Sequence, residues 1–128
     1  MIVGLSERER LALLDLAQGM IDTGGMIVTG EGNFYELNPG QWRALRAVIP
    51  KLSVPKDSYS ITRPEISVLA WIFQIRTSDL ESGIDEFDEI FAAGGLRNMG
   101  VHTPSRVMGH FVEAPKPTRR VIPKTRRR

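Results

Sequence analysis

The parts of this 128-residue sequence that could do chemistry are two histidines, a cluster of carboxylates, a glycine-bearing turn and a run of cations. His102 and His110 have the chemistry of general bases or metal ligands. Ligand pairs on one helix usually stand four residues apart; these stand eight apart, with no third ligand beside them. As bases they lack a nucleophile. The chain has no cysteine, and no serine sits in the context of a nucleophile elbow. Both are read as structural or surface histidines. Asp79, Glu81, Asp85, Glu86, Asp88 and Glu89 are dense enough to suggest a divalent cation. Counted from Asp79, however, an EF-hand loop would need glycine where Ile84 stands and glutamate where Ile90 stands. The expectation is a solvated helix face, with Asp85, Glu86, Asp88 and Glu89 as a candidate docking face for a basic partner. Gly30-Glu31-Gly32 begins like a dinucleotide-binding loop, but Tyr35 occupies the place of the third glycine. No Lys-Ser or Lys-Thr follows, and Glu31 would repel phosphate, so a plain turn is expected.

The cations carry the one mechanism that the sequence supports. From Ala114 to Arg128 there are seven Lys/Arg and no acid, a charge of +7; from Met1 to Glu113 there are ten Lys/Arg and fifteen Asp/Glu, a charge of −5. The net +2 conceals this separation. Lys116, Arg119, Arg120, Lys124, Arg126, Arg127 and Arg128 stand among three prolines, a composition that favours an extended strand over a packed element. Such a strand suits a polyanion, because each cation that meets a phosphate releases a counterion without reading sequence.

The rest of the composition excludes classes. Without cysteine there are no disulfides and no thiolate metal sites. The start, Met1-Ile2-Val3-Gly4-Leu5-Ser6-Glu7, lacks the basic and long apolar regions of a signal peptide. The most apolar run, Ile66 to Phe73, is far short of the ~20 residues that span a bilayer.

Four helices can be read from caps and periodicity. Ser6 and Glu9 form a capping box ahead of Leu11, Leu14, Ala17 and Ile21, with Leu13, Leu16 and Met20 widening the stripe and Gly24-Gly25 closing it. Leu5-Ser6-Glu7-Arg8-Glu9-Arg10 with Leu13-Leu14-Asp15-Leu16-Ala17-Gln18-Gly19 resembles the first helix of LuxR-type helix-turn-helix domains. That resemblance implies a DNA-reading regulator. It stops at Gly19, because Met20 to Val28 does not read as a second short helix and no basic recognition helix follows. Met26 to Thr29 and Phe34 to Leu37 read as strands of a hairpin around Gly30-Glu31-Gly32-Asn33. Asn38-Pro39-Gly40-Gln41 starts a helix whose apolar side is Trp42, Leu45, Val48 and Ile49, and Pro50 should end or bend it. Leu52 to Ser60 reads as a loop. Thr62-Arg63-Pro64-Glu65 starts a third helix, Ile66 to Ile75, apolar all round and so central to the core; a buried strand is the competing reading. Ser82 through Ala93 reads as the last clear helix, with Ile84, Phe87, Ile90 and Phe91 inward, Asp85, Glu86, Asp88 and Glu89 outward, and Gly94-Gly95 as its stop. A short helix is also expected around Ser105 to His110.

The expected fold is α+β and predominantly α. It is one globular domain over 1–113, closed around Trp42, Trp71, Phe73, Phe87 and Phe91, with an extended basic tail over 114–128. The expected function is non-enzymatic: an accessory or structural subunit of a larger assembly, a virion or nucleoprotein particle. The body would dock by protein–protein contacts, and the tail would grip nucleic acid or an acidic subunit surface. The competing expectation is a small regulator or inhibitor, for example phage-encoded, that binds one host protein. Neither reading calls for a cofactor, a metal, a membrane or sequence-specific nucleic-acid recognition. The expected location is the cytoplasm or the particle itself.

Overall fold

Three capping boxes set the starts of the first three helices, as the residue types require. In the computed structural model, which describes residues 1–79 and 84–102, Ser6 Oγ accepts from Glu9 N at 3.1 Å while Ser6 N donates to Glu9 Oε1 at 2.8 Å. This opens helix α1, Glu7–Asp22. Asn38 and Gln41 exchange the same pair of bonds at the start of α2, Pro39–Leu52, and Thr62 and Glu65 do so for α3, Arg63–Ser78. Each box satisfies two amides that a helix start otherwise leaves orphaned.

Between α1 and α2 lies the expected hairpin. Strands β2, Met26–Val28, and β3, Phe34–Glu36, pair antiparallel with Ile27 opposite Tyr35. Ile27 is buried, and Met26, Val28 and Phe34 are exposed, the alternation of a ribbon with one face on the core. The junction from α1 is a Schellman turn. Gly24 N donates to Ile21 O and Gly25 N to Met20 O, with φ of +71° and +81°. Gly25 is doubly required, since a Cβ there would lie 2.5 Å from the Trp42 indole.

A second ribbon was not expected. β1, Ile2–Val3, pairs antiparallel with β4, Tyr59–Ser60, inside the segment read as a loop. It seals the core with Val3 and Tyr59, both nearly inaccessible. A two-residue strand has no periodicity to read, so nothing local announces this pairing. Pro50 does not end α2, which runs on to Leu52. Pro50 and Arg46, whose carbonyl would have met the missing N–H, both lie on the exposed side, where water can replace that bond.

Helices α1 and α3 each pack on the other three, of which α4 is Glu86–Asn98, and together they centre the core. Val68, Leu69, Ile72, Phe73 and Ile75 are inaccessible or nearly so. Of the five aromatics expected to close the core, Phe73 alone is fully buried. Trp42, Trp71 and Phe91 are half-buried, and Phe87 is 48% exposed. Trp71 instead meets Tyr35 of the hairpin edge to face, at 6.4 Å. The inner face of α1 likewise centres on Leu13, Leu16, Ala17 and Met20, leaving Leu11 exposed.

The largest correction concerns α4. It begins at Glu86 and passes straight through Gly94-Gly95, ending in a second Schellman turn at Gly100, φ +90°. The two glycines are helical because α1 lies against them. A Cβ on Gly95 would sit 2.7 Å from Leu13 Cδ1, and one on Gly94 would sit 3.1 Å from Glu9 Oε2. Close approach selects small residues, so the buried stripe of α4 is Glu89, Ala92, Ala93, Gly95 and Leu96. Phe87 and Ile90, expected inside, are exposed; Glu89, expected outside, is fully buried. The tail from Ala114 to Arg128, His110 and the short helix expected around Ser105 to His110 lie outside the described residues.

Candidate functional site

Rotating α4 in this way brings charges together that are far apart in sequence. Asp85, the N-cap of α4, accepts from Phe87 N at 2.8 Å. One turn on, Asp88 faces Asp15 of α1, and Arg76 descends from the last turn of α3. These four side chains, with Ala12, Leu16 and Ile84, line a cavity of about 210 Å³. The Asp88 carboxyl is held above its ordinary range, first by burial, then by the charges of Asp15 and Asp85, with Arg8 pulling the other way. Burial pushes the Arg76 guanidinium below its ordinary value. Its Nε is buried without a hydrogen-bond partner among the described residues, and its guanidinium lies over Gly19.

Beside this cavity the joint of α1 and α4 presents an apolar face. The Arg8 guanidinium sits 4.1 Å above the Phe87 ring and 5.4 Å from Phe91, two rings that meet edge to face at 5.0 Å. Leu11 lies one turn on from Arg8, and Ile90 one turn on from Phe87; all three apolar residues, Leu11, Phe87 and Ile90, are 39–48% exposed. Of the candidate docking face, Asp85 and Glu86 are exposed and Asp88 is half-buried; Glu89 turns into the core. A second apolar face, Met26, Val28 and Phe34, lies on the outer side of the hairpin.

The other candidates resolve simply. Three amides of the glycine-bearing turn are spent: Gly30 N donates to Asp79 Oδ2, Gly32 N to Thr29 O and Asn33 N to Thr29 Oγ1. A turn whose amides face a carboxylate is no phosphate cradle. His102 is exposed, just past the end of α4. No grouping of three or more metal-ligating side chains occurs among the described residues. None of the described helices is long and apolar enough to cross a membrane. Where the LuxR-type resemblance would place a second helix, α1 continues to Asp22 and the hairpin follows.

Sequence reasoning missed Asp15 and Arg76. Asp15 sits in an ordinary amphipathic stretch and Arg76 in a helix end, and only the crossing of α1, α3 and α4 joins them to Asp88. The cation over the Phe87–Phe91 pair was missed for the same reason. Comparison with protein families, with curated proteins and with solved structures finds no match to this chain.

Proposed function

We propose that the protein is a non-enzymatic accessory or structural subunit of a larger assembly, such as a virion or nucleoprotein particle. Its body docks through protein–protein contacts, and its tail holds nucleic acid or an acidic subunit surface. The observation that carries this reading is the separation of charge. All fifteen carboxylates lie within 1–113, while residues 114–128 hold seven cations and no acid. A cationic segment without a single acid, joined to an acidic body, attracts a polyanion at the tail and a basic surface only at the body. The exposed apolar faces at the α1–α4 joint and on the hairpin supply surfaces for the docking part.

Deleting Ala114 to Arg128 tests it. The truncated chain should still fold cooperatively and lose affinity for mixed-sequence duplex DNA. With about five cations engaged, the full chain's log affinity should fall against log salt with a slope of about −4.5, and scrambling the DNA sequence should change little. A truncated chain that binds as well as the full one refutes the attachment role. A second reading, a small regulator that binds one protein and carries the tail incidentally, draws on the apolar hairpin face of Met26, Val28 and Phe34. Val28→Ser with Phe34→Ser separates the two. Loss of a soluble partner with DNA binding intact favours the regulator.

A further inference from the structure

The outer sides of α1 and α4 carry both apolar and acidic residues. Leu11, Phe87 and Ile90 are exposed, and Asp15, Glu86 and Asp88 lie on the same two helices. With Asp85, the carboxylates outnumber Arg8 and Arg76 two to one across the face and its cavity. The C-terminal segment has the inverse pattern: Arg119-Arg120 and Lys124 flank Val121-Ile122, the two largest apolar residues it contains. Arg8 already displays the required chemistry, a guanidinium laid on Phe87 at 4.1 Å. The chain is also long enough. The thirteen residues of α4 rise about 20 Å, which separates His102 from the Phe87 end, while seventeen residues, the number from His102 to Arg119, have a maximum reach of roughly 55 Å.

We propose that the chain's own segment 114–128 docks on this face, Val121-Ile122 against Leu11, Phe87 and Ile90 and the flanking cations against Asp15, Glu86 and Asp88. The docked tail is withheld from polyanion until a partner displaces it. The withholding rests on the polyanion reading above; the docking does not. Burial first, and then the charges of Asp15 and Asp85, hold the Asp88 carboxyl above its ordinary range, and an incoming cation offsets the charge part. A tail docked nine-tenths of the time would lose about tenfold in apparent affinity for polyanion.

Because the chain has no cysteine, Thr125→Cys places a single spin label on the full-length protein. In dilute solution the amide signals of Leu11, Asp15, Phe87 and Ile90 should lose intensity while those of the hairpin keep theirs, and added salt should restore them. Uniform loss, or none, overturns the docking. Loss transferred to an unlabelled second copy, growing with concentration, makes that copy the occupant and overturns docking within one chain. In parallel, the full chain carrying Asp15→Asn, Glu86→Gln and Asp88→Asn should bind duplex DNA about tenfold tighter than the unmodified chain. Equal affinity overturns the withholding. If neither protein binds DNA, the polyanion reading fails while the label still reports on docking; if DNA binds and the label effect is absent, docking fails and the polyanion reading stands.

Discussion

Adding one methyl group at Gly95 should destabilise the protein, although glycine is the poorer helix former. The change Gly95→Ala gains ~1 kcal/mol of helix propensity in a helix interior. Against this, the new Cβ would lie 2.7 Å from Leu13 Cδ1 and 3.4 Å from both Leu13 Cγ and Leu5 Cδ2. Leu13 is wholly inaccessible and has nowhere to swing. Overpacking of this kind costs ~1–3 kcal/mol, so the net loss is about 1 kcal/mol. The neighbouring Gly94→Ala provides the control. Its nearest contacts would all be with the Glu9 side chain, Oε2 first at 3.1 Å, the end of a partly exposed side chain whose other oxygen holds the capping box. Gly94→Ala should therefore gain about 0.5 kcal/mol, most of its propensity term. Urea titration of the two variants should separate them by ~1.5 kcal/mol, roughly 1 M in midpoint for a slope of ~1.5 kcal/mol/M. If Gly95→Ala stabilises as much as Gly94→Ala, then α1 and α4 do not approach closely at Gly95, and the reason given for the inward turn of the small face of α4 is wrong.

Three further outcomes follow from the same structure. Phe73→Ala, at a fully buried position in the central helix, should cost about 3–5 kcal/mol in chemical denaturation; a loss below about 1 kcal/mol would remove α3 from the centre of the core. Lys51→Met strips the buried Glu65 carboxylate of an ammonium 2.9 Å away and should cost about 1–3 kcal/mol, most of it recovered when Glu65→Gln is added. Asp88 binds its proton more tightly folded than unfolded, so its contribution is fully present below the unfolded-state pKa and is lost as pH rises through the folded-state value. The stability difference between Asp88→Asn and the parent should accordingly favour the variant more at pH 7 than well below the ordinary aspartate pKa of about 3.9; a difference independent of pH would refute the raised proton affinity that burial, and then Asp15 and Asp85, give Asp88.

Local chemistry decided what the sequence could state by itself. Ser6 with Glu9, Asn38 with Gln41 and Thr62 with Glu65 each solve the problem of orphaned amides within four residues, so these helix starts needed no tertiary information. The Gly24-Gly25 turn and the hairpin around Gly32 are equally local, as is the separation of acidic body from basic tail. Tertiary structure decided everything that depends on one element meeting another. Nothing in two residues such as Ile2-Val3 specifies a partner near residue 60. Gly94-Gly95 reads as a stop because glycine is a poor helix former, yet against Leu13 and Glu9 it is the residue type that lets two helices touch. The same contact turned Ala92, Ala93 and Gly95 inward, displaced Phe87 and Ile90 to the surface and buried Glu89, against the rule that large apolar residues face the core. The site followed from that rotation: Asp15, Arg76 and Asp88 share a cavity because close helix packing, a property of pairs of surfaces, set the phase of α4, and hydrophobicity along one strand of sequence did not.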